Sequence, residues 1–78
     1  MQISVSEIIK LVANALSCEE NTLSIDSRIG KHENWDSLGQ LAIMTLLEEK
    51  YHFVINENNI DKLLSIRGIY EFIANMQK

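Results

Sequence analysis

The sequence predicts an all-α fold of three longer helices and one short one around a single core, with a long loop between the first and second helices. Three observations predict it. Four segments carry apolar residues at helical spacing, capping residues stand where those segments begin, and no proline, repeat or low-complexity tract breaks the chain. Seventy-eight residues, 46% of them apolar and 23% charged, suit one small globular domain spanning residues 1–78.

Helix one begins at Ser4, where Ser4 and Glu7 have capping-box spacing. Val5, Ile9, Val12 and Leu16 recur at helical intervals, Ile8 and Ala13 widen the stripe, and the helix runs to about Ser17. From Cys18 to Trp35 no period is sustained. Asn21-Thr22, Asp26-Ser27 and Gly30 are turn formers, while Leu23, Ile25 and Ile29 are spaced to pin the segment onto a core. Connections longer than about 12–15 residues are uncommon in compact domains and tend to be functional.

Helix two starts at Asp36 or Ser37 and ends near Tyr51. Leu38, Leu41, Ala42, Thr45, Leu46 and Glu49 trace one side, and Ile43, Met44 and Leu47 extend the apolar arc, so the helix is expected to pack on more than one neighbour. Phe53-Val54-Ile55 is a short apolar exit. Asn56 can cap a short third helix through Leu63 or Leu64, with Ile60, Leu63 and Leu64 inward; three asparagines and few strong helix formers leave an irregular segment as the alternative. Ser65 caps the fourth helix, where Ile66, Ile69, Tyr70, Ile73 and Met76 follow the i, i+3, i+4, i+7 pattern.

Charge and residue inventory exclude several function classes. Net charge is −4, and the seven Lys and Arg residues are scattered, which disfavours nucleic acid. One cysteine, Cys18, allows neither an internal disulfide nor a multi-cysteine zinc site, and His32 and His52 lack ligand-like spacing, so no metal is expected. Met1-Gln2-Ile3-Ser4 carries no basic region followed by an apolar run, and the longest uncharged stretch, Ser37 to Leu47, is too short to cross a bilayer; cytoplasmic residence is the expectation. No paired carboxylates or nucleophile–base set stand out, and the chain is not expected to be an enzyme. Cys18 reads as a helix-end residue and His32 as exposed or half-buried. His52 would report pH only if it packed against Glu48 or Glu49. Met44 lines either the core or the exposed flank of helix two.

The informative run is Trp35-Asp36-Ser37-Leu38-Gly39, where the long loop meets helix two. Asp36 is a good N-cap and Ser37 lies in the first turn. Unpaired N–H groups and the helix dipole favour anions there, so a phosphodiester on Ser37 Oγ would sit in a favourable field. Leu38 is expected to anchor this turn in the core and hold the hydroxyl outward. Gly39 is expected to leave the surface beside Ser37 bare. Trp35 reads as a packing residue that fixes the start of helix two, with partner contact as its competing role. The tripeptide Asp-Ser-Leu alone is ordinary capping, and its meaning comes from context.

That context spans nearly the whole chain. Leu23-Ser24-Ile25-Asp26-Ser27-Arg28-Ile29, Trp35-Asp36-Ser37-Leu38-Gly39-Gln40-Leu41, Leu46-Leu47-Glu48-Glu49-Lys50-Tyr51, and the later Phe53-Val54-Ile55 and Leu63-Leu64-Ser65-Ile66-Arg67-Gly68-Ile69 resemble the acyl carrier protein family. The resemblance implies a four-helix bundle carrying 4′-phosphopantetheine, derived from coenzyme A, on Ser37 within its Asp36-Ser37-Leu38 motif. The thiol of that arm would hold an acyl or aminoacyl cargo as a thioester. Implied partners are a phosphopantetheinyl transferase, a loading ligase or acyltransferase, and downstream enzymes acting on the cargo, with a monomeric carrier. Housekeeping fatty-acid carriers usually place acidic residues where Gly39 and Ala42 stand here, and only Glu48 and Glu49 keep acidic character near the helix end. Trp-Asp-Ser-Leu-Gly looks more like dedicated carriers of specialised pathways. The alternative is a helical interaction module of the same fold that is never modified.

Overall fold

The computed structural model describes residues 3–76, so the Met1-Gln2 part of the leader reading lies outside the described residues. Three α-helices form, α1 (Val5–Leu16), α2 (Ser37–Tyr51) and α3 (Ile66–Met76), with single 3-10 turns at Glu20–Thr22 and Ile60–Leu63. Among the described residues no helix is long and apolar enough to cross a membrane.

Local chemistry sets the ends of each helix. Ser4 is extended (φ −114°), and its Oγ accepts the Glu7 N–H at 3.3 Å. At the other end Ser17 turns left-handed (φ 54°), which returns its N–H to the Ala13 and Asn14 carbonyls. Ser65 Oγ accepts the Gly68 N–H at 2.9 Å and starts α3 in the same way. His52, also left-handed (φ 56°), ends α2 with its backbone N–H on the Glu48 carbonyl.

α1 packs against both other helices. Ile8 and Val12 of α1, Ile43 and Leu47 of α2, Ile66, Ile69 and Ile73 of α3, and Trp35 and Leu63 from the connections have no exposed surface. Phe53 and Phe72 close one side, with ring centroids 5.4 Å apart. The long connection is sewn to the start of α3: Ile29 N–H donates to the Leu64 carbonyl, Ile66 N–H to the Ser27 carbonyl, and Arg67 N–H to the Ile25 carbonyl, at 2.9, 2.9 and 3.1 Å. Arg67 adds an exposed ion pair to Asp26. Gly68 allows a close approach, since a Cβ there would run into the Lys62 carbonyl oxygen.

Two expectations are corrected. The short third helix of the expected four-helix bundle is instead one 3-10 turn, Ile60–Leu63, so the described residues hold three α-helices. The asparagines are the reason. Asn56 N–H donates to Asn59 Oδ1 and Asn58 N–H to Asn56 Oδ1, both at 2.9 Å, and Asn59 Nδ2 donates to the Val54 carbonyl at 3.1 Å. Side chains bonded to nearby backbone offer the chain an alternative to a helical ladder.

The second correction concerns which side of α2 faces inward. Leu38 does not anchor in the core: it is 76% exposed, Leu41 is 57% exposed, and Thr45 is also exposed. The buried positions are Gln40, Ile43 and Leu47. Apolar residues surround α2 almost completely, so spacing alone could not choose a face. A polar residue chose it, through the bonds of Gln40 described below.

Two stability predictions follow from this packing. Ile43→Ala should cost about 2–5 kcal/mol in denaturant unfolding, whereas Leu38→Ala should stay within about 0.5 kcal/mol of the parent. Equal losses would mean that Leu38 is packed after all. The Tyr51 phenol oxygen is buried with no hydrogen-bond partner among the described residues. Burial first, and the Glu7 carboxylate second, push its ionisation above the ordinary tyrosine range. The folded chain therefore keeps a proton that the unfolded chain releases at a pH of about 10, so stability is undiminished below that value and is lost as pH rises through the folded-state one. Tyr51→Phe should leave neutral-pH stability equal or higher and flatten the alkaline decline in thermal melts. An alkaline limb as steep as the parent's would remove Tyr51 as its source.

Candidate functional site

The site is assembled at the junction between the long connection and α2. The segment before it is folded into tight turns: Trp35 N–H donates to the His32 carbonyl at 3.0 Å and Gly30 N–H to the Trp35 carbonyl at 3.1 Å. Gly30 takes the left-handed backbone (φ 83°) that this turn requires. Asn34 fastens the turn twice, its backbone N–H donating to His32 Nδ1 at 3.1 Å and its side-chain Nδ2 to the Leu16 carbonyl at the end of α1 at 3.2 Å. His32, half-buried, also places Nε2 3.0 Å from Thr22 Oγ1, whose hydroxyl donates to the Glu19 carbonyl at 2.7 Å.

Trp35 follows, fully buried, as the packing reading expected. Its indole N–H donates to Gln40 Oε1 at 2.6 Å, and Gln40 Nε2 donates to the Leu63 carbonyl at 2.9 Å. Gln40 is itself 6% exposed. One buried polar chain thus joins the connection, α2 and the Ile60–Leu63 turn. Each group left unpaired in such a place costs about 1–3 kcal/mol. Sequence reading missed Gln40. The available signal was its place three and seven residues before Ile43 and Leu47, together with a tryptophan needing an acceptor.

Asp36 caps α2 as expected. Its backbone is extended (φ −106°, ψ −167°), its Oδ1 accepts the Gly39 N–H at 2.9 Å, and its carbonyl accepts the Gln40 N–H at 2.8 Å. Ser37 is the first residue of α2 and is exposed. With Gln40 turned inward, Leu38 and Leu41 turn outward, and the exposed Ser37 at the first position of the helix stands beside these two exposed leucines. No acidic side chain occupies the first turn, leaving the partial positive charge of the helix N-terminus opposed only by the Asp36 cap.

Gly39 departs from its expected role. It faces the interior side of the junction, where a Cβ would lie 2.6 Å from Leu16 Cδ2 and 2.7 Å from the Asn34 carbonyl oxygen. The glycine lets α2 lie close against the end of α1 and does not bare the surface next to Ser37. Further along α2, Met44 and Ala42 are half-buried, and Leu47 is buried. Glu48 is not a free acidic contact, because its Oε2 accepts the Ile55 N–H at 3.0 Å; Glu49 is exposed. His52 is exposed at the helix end, and Cys18 is half-buried just beyond α1. No three His, Cys, Asp or Glu side chains gather as metal ligands among the described residues.

No family model matches the chain. Curated relatives do. An acyl carrier protein of Campylobacter lari is 31% identical over 92% of this chain and 94% of its own length. One from Campylobacter hominis is 32% identical over 92% of this chain and 91% of its own. A third, from Campylobacter jejuni subsp. doylei, is 29% identical over 87% and 88%. Identity above 30% along almost the full length of both chains, on an all-helical fold with a capped serine at the start of α2, establishes that the chain belongs to the acyl carrier protein family.

Proposed function

We propose that this chain is a carrier, not itself an enzyme, whose Ser37 receives 4′-phosphopantetheine and whose cargo is held as a thioester for presentation to partner enzymes. The observation that carries this reading is the exposure of Ser37 as the first residue of α2, directly after the Asp36 cap. When bound, the arm supplies a flexible tether and a thiol that forms the thioester. The residues present fit it: nothing covers the outward side of Ser37, the neighbouring Leu38 is exposed, and the helix N-terminus favours a phosphodiester.

In the attachment step Ser37 Oγ attacks the coenzyme A phosphorus that bears pantetheine. The bond from that phosphorus to the oxygen of adenosine 3′,5′-bisphosphate breaks, and the serine proton leaves to a base on the transferase. Asp36 holds the first turn in place by accepting the Gly39 N–H, and so it positions the hydroxyl without touching it. Leu38 and Leu41 offer apolar contact on either side of the approaching partner. The face is neutral, which favours specialised short-acyl or aminoacyl pathways over bulk fatty-acid synthesis. We place its action in the cytoplasm.

Loading is tested by mass. Incubation with a broad-specificity phosphopantetheinyl transferase and coenzyme A should add one phosphopantetheine to the parent and none to Ser37→Ala, which should keep its thermal stability. A parent that stays unmodified while folded would favour the unmodified interaction module, and modification of Ser37→Ala would move the site elsewhere.

Recognition should depend more on the leucines than on charge. Leu38→Ala and Leu41→Ala should each lower the transferase kcat/KM by roughly tenfold, the size of a hot-spot loss of about 1.4 kcal/mol, with unchanged melting temperature. Raising salt from low to physiological should change kcat/KM much less, because screening acts on charges and not on apolar contact. A steep salt dependence abolished by Glu49→Gln would identify electrostatic docking in its place.

A further inference from the structure

Three of the seven basic residues, scattered in the sequence, are brought to one place by the fold. Arg28, Lys31 and Arg67 line a cleft of about 490 Å³ between the long connection and the start of α3, together with Ile25, Asp26 and Ser65. All three cations are exposed. A contiguous hollow of about 360 Å³ shares Arg28, Lys31 and Ser65 with it and adds the half-buried Ile29 and Leu64. We propose that this cleft is a second docking surface, which takes an acidic segment of a partner protein with an apolar side chain seated between its carboxylates. It requires no attachment at Ser37.

The backbone beneath the cations is fixed. Arg28 and Ser65 stand opposite each other as an antiparallel bridge, closed by the Ile29 N–H on the Leu64 carbonyl and the Ile66 N–H on the Ser27 carbonyl. The Lys31 N–H donates to the Arg28 carbonyl at 3.0 Å. A base held in this way lowers the ordering cost of binding to the side chains alone. Three cations against one carboxylate, Asp26, leave two net positive charges in the cleft of a chain whose net charge is −4. Asp26 accepts from Arg67 at 3.0 Å, but the side chains are 80% and 54% exposed, and a pair so open to water is held weakly. Arg28 and Lys31 have no ion pair among the described residues. Guanidinium groups match carboxylates as two-pronged donors, so the cleft is complementary in charge and in geometry to an acidic segment.

A free phosphate or a nucleic acid fits the same place poorly. Phosphate sites draw on converging backbone N–H groups, and those at the start of α3 are spent. The Ile66 and Arg67 N–H groups donate to the Ser27 and Ile25 carbonyls, the Gly68 N–H to Ser65 Oγ, and the Ile69 N–H to the Ser65 carbonyl. A nucleic acid needs cations along an extended track, whereas these three surround one cleft on an anionic chain. Ile29 and Leu64 offer a seat for an apolar side chain that neither anion would use.

The test uses the unmodified full chain, so its outcome is independent of loading at Ser37. The probe is a synthetic peptide of one leucine flanked on both sides by paired glutamates, titrated by amide NMR at low salt. Saturable shifts confined to residues 25–31 and 64–68 are expected. Affinity should fall roughly tenfold in the triple variant Arg28→Gln, Lys31→Gln, Arg67→Gln, the combined effect of three exposed charge contacts. Lys10→Gln with Lys50→Gln, two cations outside the cleft, should leave it unchanged. Glutamine in place of the peptide's glutamates should abolish binding, and alanine in place of its leucine should weaken it several-fold. Shifts spread evenly over the exposed lysines, equal affinity in the triple variant, or no saturable binding would overturn the proposal. Tighter binding of inorganic phosphate or of a short oligothymidylate at the same residues would overturn it as well, by making the cleft a site for small anions or nucleic acid. Should the triple variant melt early, Lys31→Gln decides, since that side chain holds no ion pair among the described residues. It should weaken the peptide about twofold, and an unchanged affinity would end the proposal.

Discussion

A fully buried indole needs an acceptor for its N–H, and in this chain that need governs the rest of the junction. Gln40 is the acceptor for Trp35, so position 40 must face inward. On a helix that choice carries Ile43 and Leu47 inward with it, because they stand three and seven residues further on. It carries Leu38 and Leu41 outward by the same rotation, while Ser37 is exposed as the first residue of the helix. The second amide hydrogen bond of Gln40 then fixes the Leu63 carbonyl and with it the Ile60–Leu63 turn. A domain of this size has a net stability near the low end of the general range, about 5 kcal/mol. An unsatisfied group in this buried polar chain, at about 1–3 kcal/mol, would take a substantial share of it.

The long connection works toward the same placement from the other side. Asn34 ties it to the end of α1, Ile29 and Ser27 tie it to the start of α3, and His32 braces the turn from within. Gly39 then permits α2 to lie against Leu16 and Asn34, a contact that any Cβ would obstruct. An irregular segment so fastened holds the first turn of α2 in one position.

How far the sequence was legible follows the range of the forces involved. Ser4, Asp36 and Ser65 were readable as caps because a cap is settled within four residues. The spans of α1 and α3 were readable because each has one apolar face, ending in buried Ile8, Val12 and Leu16 or Ile66, Ile69 and Ile73. Ser37 was singled out by its motif and by family resemblance together. The inward face of α2 was not readable: its leucines and isoleucine surround it, and the deciding residue was a glutamine answering a tryptophan five positions earlier. The same limit misplaced Leu38 in the core and Gly39 on the surface. Between Asn56 and Leu63, competition from asparagine side chains decided against an α-helix, an outcome already open in the composition of that segment.

Two exposed leucines beside a serine contribute nothing to the core, so their presence at the most exposed part of α2 calls for a physical account outside folding. The distribution of charge supplies half of it. The chain has eleven acidic residues, yet none lies in the first turn of α2, and Glu48 is engaged with the Ile55 backbone. Arg28, Lys31 and Arg67 instead gather around the connection and the start of α3, with Asp26 paired to Arg67. The surface beside Ser37 is therefore apolar at Leu38 and Leu41, with no acidic side chain in the first turn of α2. Apolar contact discriminates by shape and closes at short range, whereas charge acts at a distance and is dulled by salt. If Ser37 is the attachment point proposed above, a carrier built this way gives up fast, long-range capture by many basic enzymes and relies on close fit to few.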